Sequence, residues 1–282
     1  MWIVFSLLNA FFESLKDVQS KRKLRHVDEY VVAWAMNTVA GVLLFAAVAV
    51  TGVPVVTQKF WFALGVSGII NFFTTVWYMR AIKETDLSLT VPLLAFTPAF
   101  LLITSPLIIR EFPSPQGFAG VLLIVVGSYL LNIGQFREGL FAPFRSLLRN
   151  KGSRIMLTIA AIWSISSNFD KIGIQGSSPL FWAASVHLFL CVTLFPFAIP
   201  RFQSMKEPWR GVAAIGVSKA LSAGFQMLAV GMTLVPYAIS VKRMSSVMSV
   251  LWGHYHFKEH GVRERLWGTL IMVGGVILIA LS

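Results

Sequence analysis

The chain has 282 residues, of which 56% are hydrophobic and only 13% are charged, and its mean hydropathy is +0.73. Soluble domains carry about 25% charged residues, so this composition excludes a soluble globular protein of this length. The net charge of +12 does not indicate nucleic-acid binding, because the basic residues lie between apolar segments and not along one continuous face.

Apolar segments follow one another along the chain, and each is close to the roughly 20 residues that a membrane-spanning helix needs. They cover residues 1–20, 29–51, 58–80, 87–109, 115–133, 154–174, 178–199, 210–234, 237–257 and 263–281. None alternates strictly between apolar and polar residues, as the strands of an outer-membrane barrel do. The first segment has neither a basic n-region nor a cleavage site, so we expect it to be a retained span. The sequence predicts an all-α integral membrane protein with ten transmembrane helices.

The lysines and arginines indicate how these spans are oriented. Most of them follow the first, third, fifth, seventh and ninth spans, and the opposite side of the membrane receives only Lys59, Arg110, Lys171, Lys242 and Arg243. Cytoplasmic loops are the ones enriched in basic residues. The bias therefore predicts that the odd-numbered loops are cytoplasmic and that both termini lie outside.

One sequence pattern occurs twice. Residues 110–131 read REFPSPQGFAGVLLIVVGSYLL, and residues 258–279 read KEHGVRERLWGTLIMVGGVILI. In both copies a basic residue and a glutamate end one apolar segment, and glycines recur in the next segment at the same positions. Because these glycines share one helix face, we expect them to let helices pack closely. They are Gly120 and Gly127 in the first copy and Gly268 and Gly275 in the second.

The duplication divides the chain into residues 1–133 and 154–282, each with five predicted spans. The linker at 134–153 has the pattern of a short amphipathic helix at the membrane surface. An odd number of spans places the two halves in the membrane with opposite orientations, a common plan among transporters. The sequence therefore predicts two inverted five-helix repeats around a central cavity.

Polar side chains recur on one face of several predicted spans, at intervals of three or four residues. A polar lining shared by several helices predicts an interior cavity, and we expect its side chains to bind a small molecule. The stripes of spans three and eight, which align with each other, comprise Asn71, Thr75, Tyr78, Lys219, Ser222 and Gln226.

Lys219 is the strongest candidate for a functional residue in these stripes. It lies about 13 Å into span eight, where a charge costs about 2.5 to 3.5 kcal/mol, and its partner in the repeat is Gly68. We interpret it as an anion-binding or proton-coupled lysine. The alternatives are a permanent pair with Asp170, Asp17 or Glu13, or a side chain that reaches the membrane surface.

Lys242 and Arg243 lie at the start of span nine, where the matching region of span four has Val91 and Pro92. Cations at a helix start oppose the helix macrodipole, so helix stability does not explain them. We expect them to bind a phosphate or carboxylate group. The alternative is that they bind lipid headgroups at the membrane surface.

Glu13, Asp17 and Asp170 are the acidic candidates within the spans. Asp170 occupies in span six the place that Asp17 holds in span one. Each aspartate is either a proton carrier or an ion-pair partner, of Lys171 for Asp170 and of Lys16 for Asp17.

Metal and catalytic chemistry are not expected. His254, His256, Glu259 and His260 include metal-ligand types, but they lack a zinc-protease spacing, and we expect them to be hydrated at the membrane edge. The lone Cys191 is expected to be a small buried hydrophobic residue. No serine-nucleophile motif, phosphate-binding glycine loop or paired-carboxylate set is present, so the sequence does not predict an enzyme.

Residues 78–132 and 238–280, with the run DLSLTVPLLAFTP and the glutamate and glycine-rich helix that closes each half, resemble the EamA-type members of the drug/metabolite transporter superfamily. The resemblance implies two inverted five-helix halves and export or exchange of small metabolites by alternating access. It also implies that no metal or nucleotide cofactor is used and that a gradient drives transport. Members of this family are pictured with both termini in the cytoplasm, whereas the charge bias of this chain predicts the reverse.

The leading hypothesis is a secondary transporter of the cytoplasmic membrane, whose cavity presents Lys219, Lys242 and Arg243 to an anionic or zwitterionic metabolite with a carboxylate or phosphate group. Coupling to protons through the acidic residues is a further expectation. The alternative is a lipid translocase, in which the same cations hold a headgroup while the lipid tail stays in the bilayer.

Overall fold

The computed structural model describes residues 1–84, 91–130, 151–204, 209–248, 252 and 262–282. Within these ranges the chain is helical and contains no strand. Its α-helices, numbered here in chain order, are α1 Trp2–Lys23, α2 Glu29–Thr51, α3 Gln58–Glu84, α4 Phe96–Ile109, α5 Pro115–Leu130, α6 Lys151–Gln175, α7 Pro179–Ala198, α8 Trp209–Met232, α9 Val235–Lys242 and α10 Val262–Ala280.

Four helical segments of the described chain are long and apolar enough to cross a membrane: Glu29–Thr51, Gln58–Glu84, Pro179–Gln203 and Trp209–Met232. Shorter apolar helices cover Leu93–Ile109, Pro115–Leu130 and Trp267–Ala280. The prediction of an all-helical chain with membrane-spanning segments is thereby confirmed for the described residues. The number of ten spans and their inverted arrangement stay predictions.

The helices pack in pairs that join the two predicted halves. The most extensive pairs are α5 with α10, α1 with α8, α2 with α7, and α3 with α6. In the predicted repeat, helices α1 to α5 of the first half correspond to α6 to α10 of the second. Exchanging each helix for its counterpart turns the pair α1 and α8 into the pair α6 and α3. The pairs α5 with α10 and α2 with α7 are unchanged by the exchange. The set of large contacts is therefore the same viewed from either half.

The repeated glycines lie where α5 meets α10, which we call the glycine seam (Gly120, Gly127, Gly268 and Gly275). A Cβ atom at Gly120 would lie 2.8 Å from the carbonyl oxygen of Gly275, and one at Gly275 would lie 2.6 Å from that of Gly120. A Cβ at Gly127 would lie 2.7 Å from the carbonyl oxygen of Gly268. The two backbones thus approach to distances that no side chain allows.

The regions of span four and span nine are interrupted helices. A 3₁₀ segment at Val91–Ala95 precedes α4, with Pro92 inside it and Pro98 in the first turn of α4. In span nine, α9 has only eight residues and ends at Lys242. Hydrogen bonds from Arg243 N–H to Ser240 O and from Met244 N–H to Val241 O, at 3.0 Å each, tighten the chain there.

This break corrects the interpretation of Lys242 and Arg243. The sequence placed them at the start of a helix, but Lys242 is the last residue of α9 and Arg243 is its C-cap. The two cations therefore lie in a break, next to the C-terminus of α9, where the macrodipole favours them, and just ahead of the helical residues 245–248. The prediction failed because α9 ends in a turn of i+3 to i hydrogen bonds, and no proline or glycine marks this turn in the sequence.

Some sequence predictions fall outside the described residues. They concern His254, His256, Glu259, His260 and nearly all of the linker at 134–153. Within the described ranges, no group of three or more histidine, cysteine or acidic side chains is placed to hold a metal ion.

Candidate functional site

A cavity of about 90 Å³ lies between α1, α2, α3, α6, α7, α8 and α9, and both halves of the chain contribute to its wall. That volume holds several water molecules or a small polar group. The charged side chains that line it are Glu13, Lys16, Asp170, Lys219, Lys242 and Arg243. A charged cavity enclosed by apolar helices is the strongest candidate for a functional site among the described residues.

The structure places most of the residues singled out from the sequence at this wall. Asn71, Thr75, Tyr78 and Gln226 line the cavity beside the charged groups just named. Ser222 and Asp17 lie directly behind it. The Ser222 hydroxyl donates to Glu13 Oε2 at 2.6 Å, and Asp17 Oδ1 lies 3.0 Å from Lys16 Nζ.

The part of the cavity formed by α1 contains a closed charge cluster. Lys16 Nζ lies 2.9 Å from Glu13 Oε1 and 3.0 Å from Asp17 Oδ1, and the Tyr78 hydroxyl donates to Asp17 Oδ1 at 2.7 Å. These side chains are almost fully buried. Of the two interpretations of Asp17, the geometry therefore shows the ion pair with Lys16. Burial of these charges is tolerated because each has a partner of opposite sign.

Lys242 extends this cluster from α9. Its Nζ donates to Gln226 Oε1 at 2.6 Å and lies 3.6 Å from Glu13 Oε1. Glu13 is thus placed between two lysines, Lys16 and Lys242. At the cavity α1 and α9 therefore meet through opposite charges, in addition to the stacking of Trp2 on Tyr237.

Lys219 and Arg243 differ from these lysines. Neither side chain makes a hydrogen bond or an ion pair with any residue that the structure describes. Arg243 is only 5% exposed, and its Nε is buried without an acceptor. A buried cation without a counter-ion is costly, so water or an anion has to satisfy the guanidinium of Arg243, while the half-buried Lys219 faces the same cavity. The permanent pairs considered for Lys219 from the sequence are not formed.

The balance of charge around the cavity is positive. In their ordinary ionised forms, the cations Lys16, Lys219, Lys242 and Arg243 outnumber the carboxylates Glu13, Asp17 and Asp170. One further negative group in the cavity would bring this set of side chains to neutrality.

Asp170 has hydrogen bonds but no cation partner among the described residues. Its Oδ1 accepts from Ser67 Oγ at 2.7 Å and from Trp182 Nε1 at 3.1 Å. The neighbouring Lys171 instead donates to the carbonyl oxygens of Val230 and Thr233 at the end of α8, at 2.6 and 2.9 Å. The interpretation of Asp170 as an ion-pair partner of Lys171 is therefore wrong.

Some cavity residues were missed by sequence reasoning. His187 lines the wall, with Nδ1 at 2.7 Å from Ala183 O and a buried Nε2 that has no partner within the described chain. Trp163 lines it as well, and its ring centroid lies 5.4 Å from that of Tyr78. A lone histidine in an otherwise apolar span was the available signal for His187.

The comparisons with known proteins agree with this architecture. A model of the EamA-like transporter family matches residues 1–133 and 150–281. No curated protein matches the sequence. A solved structure described only as "Crystal structure of protein" superposes with a TM-score of 0.73 at 16% identity, covering 99% of this chain and 95% of that chain. At that identity the likeness shows a shared fold and nothing about the substrate.

Proposed function

The chain belongs to the EamA-like transporter family and is a multi-pass membrane transporter; from that premise we propose that it moves a small metabolite with a carboxylate or phosphate group across the cytoplasmic membrane. Transport is secondary active and proceeds by alternating access. The drug/metabolite transporter superfamily consists of transporters, so catalytic turnover is not part of this proposal.

The proposed architecture is ten spans in two inverted five-helix repeats, 1–133 and 154–282. Support comes from the repeated sequence pattern and from the helix pairing, which maps onto itself when the halves are exchanged. The cavity between the halves is where inverted repeats bind their substrates. The charge bias supports both termini outside.

The observation that carries the substrate class is the pair of unpartnered cations, Lys219 and Arg243. An arginine offers a planar fork of donors that matches a carboxylate or phosphate, and a lysine adds a point charge. Lys242 lines the same cavity, where its Nζ contacts Gln226 Oε1 at 2.6 Å and Glu13 Oε1 at 3.6 Å. An anionic group that entered the cavity could bind Lys219 and Arg243 without displacing an ion pair, whereas binding at Lys242 would compete with Glu13.

Alternating access requires that contacts at each end of the cavity break in turn. At one end, Glu111 Oε2 accepts the N–H of Val235 at 2.7 Å, and Glu111 Oε1 lies 3.7 Å from Lys171 Nζ. The N–H of Ser114 donates to the Tyr237 hydroxyl at 3.0 Å. These contacts join the connection between α4 and α5 to α6 and α9. Opening the cavity at this end, which the charge bias places outside, has to separate them.

A lipid translocase is the alternative, and one observation favours it. A separate apolar groove of about 340 Å³ has walls from α2, α7 and α8 that include Leu44, Leu180 and Leu221. A groove of this kind suits an acyl chain, while the cavity cations would hold the headgroup. Flux of a lipid labelled on its headgroup, compared with flux of a soluble anion in the same vesicles, separates the two functions.

The test begins with a thermal-shift screen of the purified protein against amino acids, nucleotides, sugar phosphates and lipid headgroups. A compound that binds the folded state raises its melting temperature. Compounds that do so are then measured for uptake into proteoliposomes containing the wild type, Lys219→Gln or Arg243→Gln. Lys59→Gln is the control, because it removes a cation from the exposed start of α3.

We expect each cavity variant to bind the anion about 30-fold more weakly, since a hydrogen bond to a charged group contributes about 2 kcal/mol. The control should transport at the wild-type rate. Unchanged uptake by both cavity variants, with the protein folded, would remove these cations from the substrate site.

A further inference from the structure

Asp170 stands apart from the other carboxylates at the cavity. Glu13 and Asp17 are each within 3.0 Å of Lys16 Nζ, whereas Asp170 makes no ion pair with any described residue and is only 6% exposed. We infer that Asp170 is the proton carrier that couples transport to the proton gradient. This inference rests on the proposed transport function.

The two oxygens of Asp170 have different surroundings. Oδ1 accepts both hydrogen bonds, from Ser67 of α3 and Trp182 of α7. Oδ2 accepts none from the described residues, and the side chain lines the cavity. A proton from cavity water therefore adds at Oδ2, converting the carboxylate into a neutral carboxylic acid, and leaves from the same oxygen when the cavity faces the other side.

A chain of hydroxyl groups leads to this carboxylate. Ser166 Oγ lies 3.1 Å from Ser67 Oγ, and Asn71 Nδ2 donates to both, at 2.9 and 3.0 Å. The Ser67 hydrogen is directed to Asp170, so the Ser166 hydroxyl is left to donate to Ser67 or into the cavity. The arrangement orients donors toward Oδ1 and leaves Oδ2 as the site of protonation.

Protonation of Asp170 also weakens a hydrogen bond that joins the two halves. Ser67 lies in the first half, while Asp170 and Trp182 lie in the second. Charge-assisted hydrogen bonds to an ionised carboxylate are about twice as strong as bonds between neutral groups. Adding the proton weakens the attachment of α3 and α7 to α6, so the charge state of one side chain biases how the halves pack.

The surrounding charges couple the proton to an anionic substrate. The other charged or titratable side chains that line the cavity with Asp170 are Glu13 and Lys16 of α1, Tyr78 of α3, His187 of α7, Lys219 of α8, Lys242 of α9 and Arg243. On the side of α3, Asp170 faces the uncharged side chains of Ser67 and Asn71. The described part of α4 carries no charged residue.

Lys219 lines the same cavity as Asp170, so an anion bound at Lys219 would offset the attraction between this cation and the ionised carboxylate. Substrate and proton should therefore bind together, and because linkage is reciprocal each increases the affinity for the other. Movement of the proton and the anion in the same direction follows from this coupling.

The experiment uses the full chain in proteoliposomes loaded with the pH-sensitive dye pyranine. L-glutamate is the carboxylate probe and glucose 6-phosphate the phosphate probe, each used if it raises the melting temperature. Wild-type vesicles should show substrate entry with internal acidification and accumulation driven by an inward proton gradient. Asp170→Asn should lose the acidification and at least 10-fold of the accumulation, yet still exchange internal for external substrate. Glu84→Gln, which neutralises an exposed carboxylate at the end of α3, should behave as wild type.

The outcomes separate this inference from the proposed function. If the wild type moves neither probe nor any compound found in the screen, the transport proposal fails. If it moves substrate without a change in internal pH, or if Asp170→Asn still accumulates substrate with protons, the proton role is overturned. Loss of both binding and exchange in Asp170→Asn would make Asp170 a substrate ligand and would also overturn it.

A second variant covers the case in which Asp170→Asn does not fold. Ser67→Ala keeps the carboxylate but removes one donor to Oδ1. The pH at which transport is half-maximal should move upward, because the ionised carboxylate loses stabilisation. An unchanged pH profile in a folded Ser67→Ala protein would contradict the inference.

Discussion

The glycine seam and the cavity show what happens to a duplicated sequence under two different constraints. At the seam the copies agree, because Gly120 and Gly275 each face the other's carbonyl oxygen at distances that exclude a Cβ atom. At the cavity they disagree, because Lys219 faces polar space where its repeat partner Gly68 packs against the ring of Phe189. The copies thus keep their glycines where a side chain would not fit, and they differ where charged side chains line the cavity.

The two regions also differ in how they are held together. The seam depends on close backbone packing, and the described part of the cavity wall contains none of its glycines. The cavity depends on the cluster of Glu13, Lys16 and Lys242, which joins α1 to α9 through charge. A substitution that changes only charge should therefore disturb the cavity, and one that changes only volume should disturb the seam.

The largest effect is expected from Glu13→Gln. Removing the carboxylate leaves Lys242 without its anion and Lys16 with one of two, and breaking a buried ion pair costs about 3 to 5 kcal/mol. The free energy of unfolding, measured by denaturant titration in detergent, should fall by about that amount. The control is Glu29→Gln, whose partners Arg80 and Lys83 have side chains that are 44% and 40% exposed, and a loss of about 1 kcal/mol or less is expected. Equal losses in the two variants would show that the Glu13 cluster contributes no more than a surface pair.

A smaller effect is expected from volume at the seam. Gly275→Ala places a methyl group 2.6 Å from a backbone oxygen, which moves only if the helices separate, and overpacking of this kind costs about 1 to 3 kcal/mol. The adjacent Gly274→Ala meets nothing within 4 Å and provides a matched control. Thermal unfolding should separate the two variants, with Gly274→Ala equal to or more stable than wild type because alanine favours helix. Similar melting temperatures would mean that the seam tolerates side chains.

The difference between the glycine seam and the cavity explains which features could be predicted from the sequence. Apolar segments and glycine spacing are local patterns with a fixed period, so the helices and the use of the repeated glycines for close packing could be predicted from them. Lys219 was found because the repeat supplied its own comparison in Gly68. The break after Lys242 was not predicted, since the chain turns there without a proline or glycine.

The partners of the charged residues were also beyond the sequence. Nothing local distinguishes Asp17, which pairs with Lys16, from Asp170, which is bound by Ser67 and Trp182 of other helices. Such partners depend on which helices meet, and that is set by packing across the two halves.

The smallest effect tests whether the broken symmetry at Gly68 is a matter of packing. A Cβ atom at Gly68 would lie 2.7 Å from the Phe189 ring, a side chain that can rotate, whereas one at Gly65 meets nothing within 4 Å. Gly68→Ala should therefore cost about 1 kcal/mol or less, below the loss at the seam, and Gly65→Ala should cost nothing measurable in the same melting experiment. A loss at Gly68 as large as at Gly275 would mean that the first half excludes a side chain there by rigid packing. In that case the presence of Lys219 in the second half would be explained by the space available there as much as by its charge.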